Sequence, residues 1–182
     1  RSRFKIDQEF LQAAKGLKFI ARAGAGMENI DTAAADTFGV ACLNAPEGNR
    51  NAVAEQALGM LLSMCNHLNR SDRQVRDGLW LREENRGTEI DGKTIGIIGF
   101  GNTGQAFARK LQGFDATVLV CDPYVLVDRD KYPHIKQAGM ADLFDSCDVV
   151  SLHVPLTEET RHMADAAFFR SFKKPIRFIN TS

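Results

Sequence analysis

Thr94-Ile-Gly-Ile-Ile-Gly-Phe-Gly-Asn-Thr-Gly104 decides how the rest of the chain is read, because an apolar run passes directly into Gly99, Gly101 and Gly104 at the spacing G-x-G-x-x-G. Ala106, Phe107, Lys110 and Leu111 follow at helical steps, so the glycines stand at a strand-to-helix turn, the context this spacing needs. Gly99 permits the tight turn, Gly101 lets the backbone approach a pyrophosphate, and Gly104 lets helix pack on strand. The free N–H groups and positive dipole at the helix start, over Asn102 and Thr103, then attract phosphate. A second apolar run, Thr117 to Cys121, ends in Asp122, about 20 residues beyond the glycines, where a carboxylate accepts hydrogen bonds from an adenosine ribose. The competing explanation is local: three glycines that only make a tight turn, and an aspartate that only opens the Asp122-Pro123 turn.

Composition bounds the function classes. The 182 residues are 44% hydrophobic and 25% charged, ordinary for one domain with a sizeable core or for parts of two. A formal net charge of zero, with no Lys/Arg block, argues against a nucleic-acid or anionic-membrane partner, and no apolar run approaches the ~20 residues needed to span a bilayer. Cys42, Cys65, Cys121 and Cys147 are far apart, with no metal-ligand spacing, and sit in or beside apolar segments; no metal site is expected, and the thiols predict a cytoplasmic, reduced protein. The chain starts at Arg1 rather than Met and Ser182 directly follows a strand, so both ends look cut.

Taken in order, Asp7 to Ala14 predicts a short helix with an acidic first turn, closed by Gly16. Leu17 to Ala21 is a strand running into Arg22-Ala-Gly-Ala-Gly26, which is either a loop whose N–H groups face an anion or a tight connection; the local pattern does not choose. Asp31 caps a helix over Thr32 to Phe38, and Val40 to Leu43 is the next strand, which together give the alternation of a parallel sheet. Apolar residues from Val53 to Leu68 predict one long helix, with His67 on it as a half-exposed residue rather than a ligand. Ser71 or Asp72 then caps a second helix ending near Gly78, with Leu79-Trp80-Leu81 as a packed anchor and Arg82 to Gly92 as a polar linker.

Beyond Asp122-Pro-Tyr124, Ile135 to Ala138 is a short strand and Met140 to Phe144 a brief helix. Val149 to His153 is a strand stopped by Pro155. His153 either lines the crevice of a doubly wound sheet, acts on a proton, or only ends the strand. Thr157 leads to a helix carrying Met163, Ala167, Phe168 and Phe172, and Arg177 to Asn180 is the last strand.

Arg1-Ser-Arg3, Leu17 to Asp31 with Ala25-Gly26, Asn44-Ala-Pro46 with Asn49, Val53-Ala-Glu55, Gly92 to Gly104, Asp122-Pro-Tyr124, Ser151-Leu-His-Val-Pro155 and Phe178-Ile-Asn-Thr-Ser182 fall in register with one family. In order and spacing the chain resembles the D-isomer-specific 2-hydroxyacid dehydrogenases. The resemblance implies an α/β protein: a doubly wound parallel, Rossmann-like nucleotide domain with part of a second, flavodoxin-like substrate domain, the two closing on NAD and a 2-hydroxy or 2-keto acid. Residues 1–45 would be the partial substrate domain, 46–89 a crossing helix and linker, and 90–182 the dinucleotide-binding domain, incomplete at its C-terminal end. Ala25 and Gly26 match the loop that holds the substrate carboxylate, and Asn49 a residue near the substrate. Arg1, Ser2 and Arg3 match a basic segment near an anionic substrate such as 3-phosphoglycerate; by itself that segment reads equally as a solvated chain end.

The same matching assigns Gly99, Gly101, Asn102, Thr103, Gly104, Asp122, His153, Val154, Pro155 and Thr181 to NAD. A homodimer built around the long apolar helix is also implied. The family's catalytic arginine follows the position of Ser182, and its glutamate and histidine come later, so no catalytic residue is assigned within these 182 residues and the chain is expected to bind NAD without turnover. A corepressor-like protein of the same superfamily, sensing NAD without catalysis, is the alternative function.

Overall fold

The computed structural model describes residues 4–182. The chain divides into two compact units, 1–50 and 51–182.

In the first unit, α1 (Gln8–Ala13) begins where the Asp7 side chain accepts the Phe10 N–H, and α2 (Thr32–Thr37) where Asp31 accepts the Ala34 N–H. Both are side-chain caps that satisfy N–H groups the helix itself leaves free. Strands β1 (Phe19–Arg22) and β2 (Ala41–Asn44) pair in parallel, Phe19 opposite Ala41, over a small core of Leu11, Ala35 and Val40.

The second unit starts its packing on α3 (Arg50–Cys65), which is followed by α4 (Leu68–Arg76). The long helix expected to run to Leu68 ends at Cys65, and the second helix, expected from Ser71 or Asp72, already begins at Leu68. Asn66 Nδ2 turns back onto the Leu62 carbonyl, His67 takes a left-handed φ of 51°, and the Cys65 carbonyl accepts the distant Thr88 N–H at 2.9 Å. Gly87 permits that approach, since a Cβ on it would lie 2.8 Å from the Cys65 oxygen. Ser71 and Asp72 are not caps: the second helix starts before them, and Ser71 Oγ donates back to the His67 carbonyl. His67 is accordingly the break between helices rather than a residue on one. The Leu79-Trp80-Leu81 anchor is corrected as well, because Trp80 is 81% exposed and Leu79 about half exposed.

Five parallel strands follow: β3 (Thr94–Ile98), β4 (Thr117–Cys121), β5 (Ile135–Gln137), β6 (Val149–Leu152) and β7 (Arg177–Asn180), in the order β5-β4-β3-β6-β7. Period-two alternation splits their side chains between two cores. Ile95, Ile97, Val118, Val120, Val149 and Ile179 pack with Ala54, Ala57, Leu61 and Cys65 of α3 and with Ala106 and Phe107 of α5 (Asn102–Lys110). Ile98, Val150 and Leu152 pack on the opposite face with Leu143 and Cys147 at α6 (Met140–Ser146) and Phe168 of α7 (Ala166–Arg170). Gly96, mid-strand, makes the second packing possible: a Cβ there would sit 2.7 Å from Cys147 Sγ and 3.0 Å from Leu143 Cγ.

The helix expected after Thr157 is only α7, capped by Asp165, whose carboxylate accepts the Phe168 N–H. Upstream, Thr157 N–H donates to Thr160 Oγ1 and that hydroxyl donates to the Pro155 carbonyl, so the hydroxyls close a turn instead of starting a helix. Among the described residues no helix is long and apolar enough to cross a membrane.

Candidate functional site

Strand β3 lies between β4 and β6, so the chain leaves it toward one edge through β4 and β5 and toward the other through β6 and β7. Sheets of this kind bind ligands beyond the carboxyl ends of the strands at that reversal. The residues assigned from the sequence collect there: Gly99 to Gly104 after β3, Asp122 after β4, His153-Val154-Pro155 after β6 and Thr181 after β7.

The three glycines differ in what surrounds them. Gly99 has φ +90°, and a Cβ on it would lie 2.6 Å from the His153 carbonyl oxygen and 2.9 Å from Val154 Cγ1, so the loop is threaded against the chain leaving β6. A Cβ on Gly104 would run into the Gly99 carbonyl. At Gly101 no heavy atom of the described residues stands within 4 Å of the Cβ position, and this open residue is the N-cap of α5, with no side-chain cap. The first N–H groups of that helix have no intrahelical acceptor by geometry, so an open, positively polarised backbone surface lies at the carboxyl end of β3 beside exposed Asn102 and half-buried Thr103. These features fit a dinucleotide phosphate.

Asp122 does structural work in the loop. Its Oδ2 accepts the Phe100 N–H at 2.6 Å, and Oδ1 accepts the N–H groups of Tyr124 (2.8 Å) and Val125 (3.0 Å). The turn role therefore holds, and because a carboxylate offers about four acceptor positions, Oδ2 keeps capacity for a further donor. Across the same edge Tyr124 Oη donates to Glu159 Oε2 at 2.8 Å, a bridge between the loops after β4 and β6 that no sequence pattern announced.

His153 points inward. Its ring packs 5.3 Å from Phe107, its Nε2 lies 2.8 Å from Ser151 Oγ, and its Nδ1 has no partner among the described residues. Burial pushes its pKa down to about 4, so the imidazole is neutral at physiological pH. What His153 presents to Gly99 is its backbone carbonyl. Val154 is half-buried against Gly99, Pro155 is exposed, and Thr181 is half-buried beside Ser182, whose hydroxyl donates to the Leu152 carbonyl.

In the first unit, the loop after β1 is tied internally. Asn44 Nδ2 donates to the Ala25 carbonyl at 2.7 Å, Ala45 N–H donates to the Gly24 carbonyl at 3.0 Å, and Arg22 reaches Asn29 and, at 3.8 Å, Glu28. The Glu28 carboxylate occupies the space beside Gly26 where a Cβ would be. Asn49 is exposed, immediately before α3. Arg1, Ser2 and Arg3 lie outside the described residues. Among the described residues no group of three or more His, Cys, Asp or Glu is placed to hold a metal ion.

Sequence reasoning did not find the support beneath the glycine loop: Gln105 Nε2 donates to the Phe100 carbonyl at 3.0 Å, and Tyr132 Oη donates to Gln105 Oε1 at 3.0 Å. Tyr132 lies in a stretch with no periodicity, and only the fold brings it to α5.

Residues 58–182 match the family described as D-isomer specific 2-hydroxyacid dehydrogenase, NAD binding domain. The D-3-phosphoglycerate dehydrogenase of Archaeoglobus fulgidus is 37% identical over 182 residues, covering 100% of this chain and 34% of that protein. The hydroxypyruvate reductase of Thermotoga maritima is 36% identical, with 100% of this chain and 58% of that protein covered. Among solved structures, the D-lactate dehydrogenase of Aquifex aeolicus complexed with NAD and lactic acid superposes with a TM-score of 0.88 at 28% identity, over 98% of this chain and 54% of that one. The chain thus spans between about a third and three-fifths of the length of these relatives. A glycine loop at the reversal of a parallel sheet and a family match over most of the chain agree, and the chain belongs to the D-isomer specific 2-hydroxyacid dehydrogenases, with residues 58–182 in their NAD-binding domain.

Proposed function

We propose that the chain supplies the cofactor-binding part of an enzyme moving a hydride between NAD and a small anionic D-2-hydroxy or 2-keto acid. The observation that carries this is the open backbone at Gly101, walled by Gly99 against His153 and Val154 and lying at the strand-order reversal. Within this reading Gly99, Gly101, Asn102, Thr103 and Gly104 face the pyrophosphate, Asp122 the ribose, and His153, Val154, Pro155 and Thr181 the crevice wall. His153 contributes to that wall through its backbone, since its ring is buried. Bound NAD would take up or give the hydride; these residues bind and orient it. In this reading residues 1–45 belong to a substrate domain in which Ala25, Gly26 and Asn49 serve the acid, and residues 58–182 belong to the nucleotide domain.

The phosphoglycerate dehydrogenases at 37% identity and the basic Arg1 and Arg3 favour 3-phosphoglycerate as the first substrate to try. Four free cysteines support a cytosolic setting. Exposed Leu79 and Trp80, neighbours in the chain, support a homodimer, because large apolar side chains of this kind are commonly covered by a second copy. The 182 residues are expected to bind NAD without turnover, since nothing in them matches the family's arginine, glutamate and histidine.

Titration calorimetry of the chain with NAD and NADP tests the assignment. NAD is expected to bind at least tenfold tighter, because the Asp122 carboxylate repels a 2′-phosphate. Equal or tighter NADP binding overturns the role given to Asp122, and absence of binding to either overturns the cofactor site.

A further inference from the structure

The peptide between Phe100 and Gly101 is held from one side only. The preceding peptide is fixed by the Phe100 N–H to Asp122 hydrogen bond, and the Phe100 ring is buried edge-on against Tyr132, with centroids 5.4 Å apart. The Phe100 carbonyl, by contrast, has one side-chain partner, Gln105 Nε2 at 3.0 Å. Gly101 has φ −76°, and turning the 100–101 peptide over would carry it into the positive-φ region that glycine alone enters without strain. The residue that lets phosphate approach therefore also makes a peptide flip cheap. In the flipped state the Phe100 carbonyl would face the anion and the Gly101 N–H would turn away from it.

The polarity of the Gln105 amide is set by a directional chain. Arg109 can only donate, and its Nη1 lies 3.2 Å from Tyr132 Oη, so the tyrosine hydroxyl sends its proton to Gln105 Oε1 at 3.0 Å. That leaves the amide nitrogen, and not the oxygen, facing the Phe100 carbonyl. Tyr132 is 3% exposed, which shields the relay from competing water.

We propose that Gln105, oriented by Tyr132, is a positioning residue that latches the 100–101 peptide with its N–H toward the phosphate crevice, an inference that rests on the dinucleotide reading of the loop. Gln105 does not itself touch the nucleotide. The test compares wild type, Gln105→Met and Tyr132→Phe, all in the 182-residue chain, with ADP-ribose, which carries a pyrophosphate, and adenosine, which does not. Gln105→Met keeps the side-chain length and loses the donor. It should weaken ADP-ribose by about 10- to 100-fold, the worth of a hydrogen bond to a charged group, and leave adenosine within about twofold.

Tyr132→Phe should show the same selectivity at about a third to a tenth of the size. In the free protein the Gly101 amide resonance should move in Gln105→Met, and the thermal unfolding midpoint should fall by a few degrees because the buried Tyr132 hydroxyl and Phe100 carbonyl lose their partner. Equal losses for both ligands, or no loss for either, overturn the latch. A wild-type chain that takes up neither ligand counts against the dinucleotide reading instead; the Gly101 amide then decides alone, and a resonance left in place by Gln105→Met overturns the proposal.

Discussion

Alanine at Gly101 and alanine at Gly104 should separate binding from folding, although the two glycines are three positions apart in one motif. At Gly101 the added methyl meets no described atom within 4 Å and φ is −76°, which alanine adopts freely. Loss of unfolded-state entropy favours the variant by about 0.4–1 kcal/mol. Replacing a good N-cap residue disfavours it by a similar ~0.5–1 kcal/mol. The fold should therefore keep its stability to within about 1 kcal/mol, while the methyl stands where phosphate approaches and removes hydrogen bonds worth about 1.5–3 kcal/mol to a charged group. That predicts NAD affinity lower by about 10- to 150-fold.

At Gly104 the methyl is driven into the Gly99 carbonyl, a backbone atom that cannot rotate away. Overpacking of this kind costs about 1–3 kcal/mol, which lowers the unfolding midpoint of a chain this size by about 2–12 °C. Thermal unfolding and NAD titration on the same samples read both quantities. A Gly101→Ala chain that unfolds as early as Gly104→Ala, or that binds NAD as the wild type does, would refute the claim that the space at Gly101 is kept for the ligand.

Three further outcomes follow from particular contacts. Burial holds the His153 pKa at about 4, below its ordinary 6.5, so the folded chain refuses a proton that the unfolded chain binds; this stability is present above pH 6.5 and lost as pH falls toward 4, and His153→Gln should flatten thermal midpoints measured across that window. Asp148 is pushed up by burial, but hydrogen bonds from Lys174 Nζ and the Thr94 N–H, both 2.8 Å, outweigh this and hold its carboxyl below the usual range. Its contribution is present above about pH 4 and lost in stronger acid, so Lys174→Met should lower stability at neutral pH and shrink the gap to wild type as the acid transition is reached in urea titrations at each pH. Gly96→Ala should cost about 1–3 kcal/mol by crowding Cys147 and Leu143, and Cys147→Ala in the same chain should recover part of that; equal or greater loss in the double variant, measured by denaturant unfolding, would place the strain elsewhere.

Strand β3, the turn at Gly99, helix α5, strand β4 and Asp122 were all legible because they depend on near neighbours: period-two and helical spacing, glycine's freedom at φ +90°, and an aspartate closing its own turn with the Tyr124 and Val125 N–H groups. The cap at Asp31 was legible for the same reason, while Asp7, expected in the first turn of its helix, turned out to cap it. The misread element ends are set by hydrogen bonds outside the helical ladder, which leave no periodicity in the sequence. Thr88 captures the Cys65 carbonyl and ends α3 early, and the Thr160 hydroxyl takes the Pro155 carbonyl and delays α7.

At the site the division is similar. Gly99, Gly104 and Asp122 were readable from sequence alone, because a tight strand-to-helix turn leaves no room for a Cβ at the first two and an aspartate closes its own turn at the third. Which face of His153 meets the loop, that Asp122 Oδ2 is bound to the Phe100 N–H, and that Gln105 and Tyr132 brace the Phe100 carbonyl were decided only by the tertiary structure. Side-chain partners 22 and 27 residues apart, as in the Phe100–Asp122 and Gln105–Tyr132 pairs, share no local period that a sequence can display. Phe100 and Asp122 meet because the parallel pairing of β3 and β4 brings their carboxyl ends side by side, and Gln105 meets Tyr132 because the chain between β4 and β5 packs on α5.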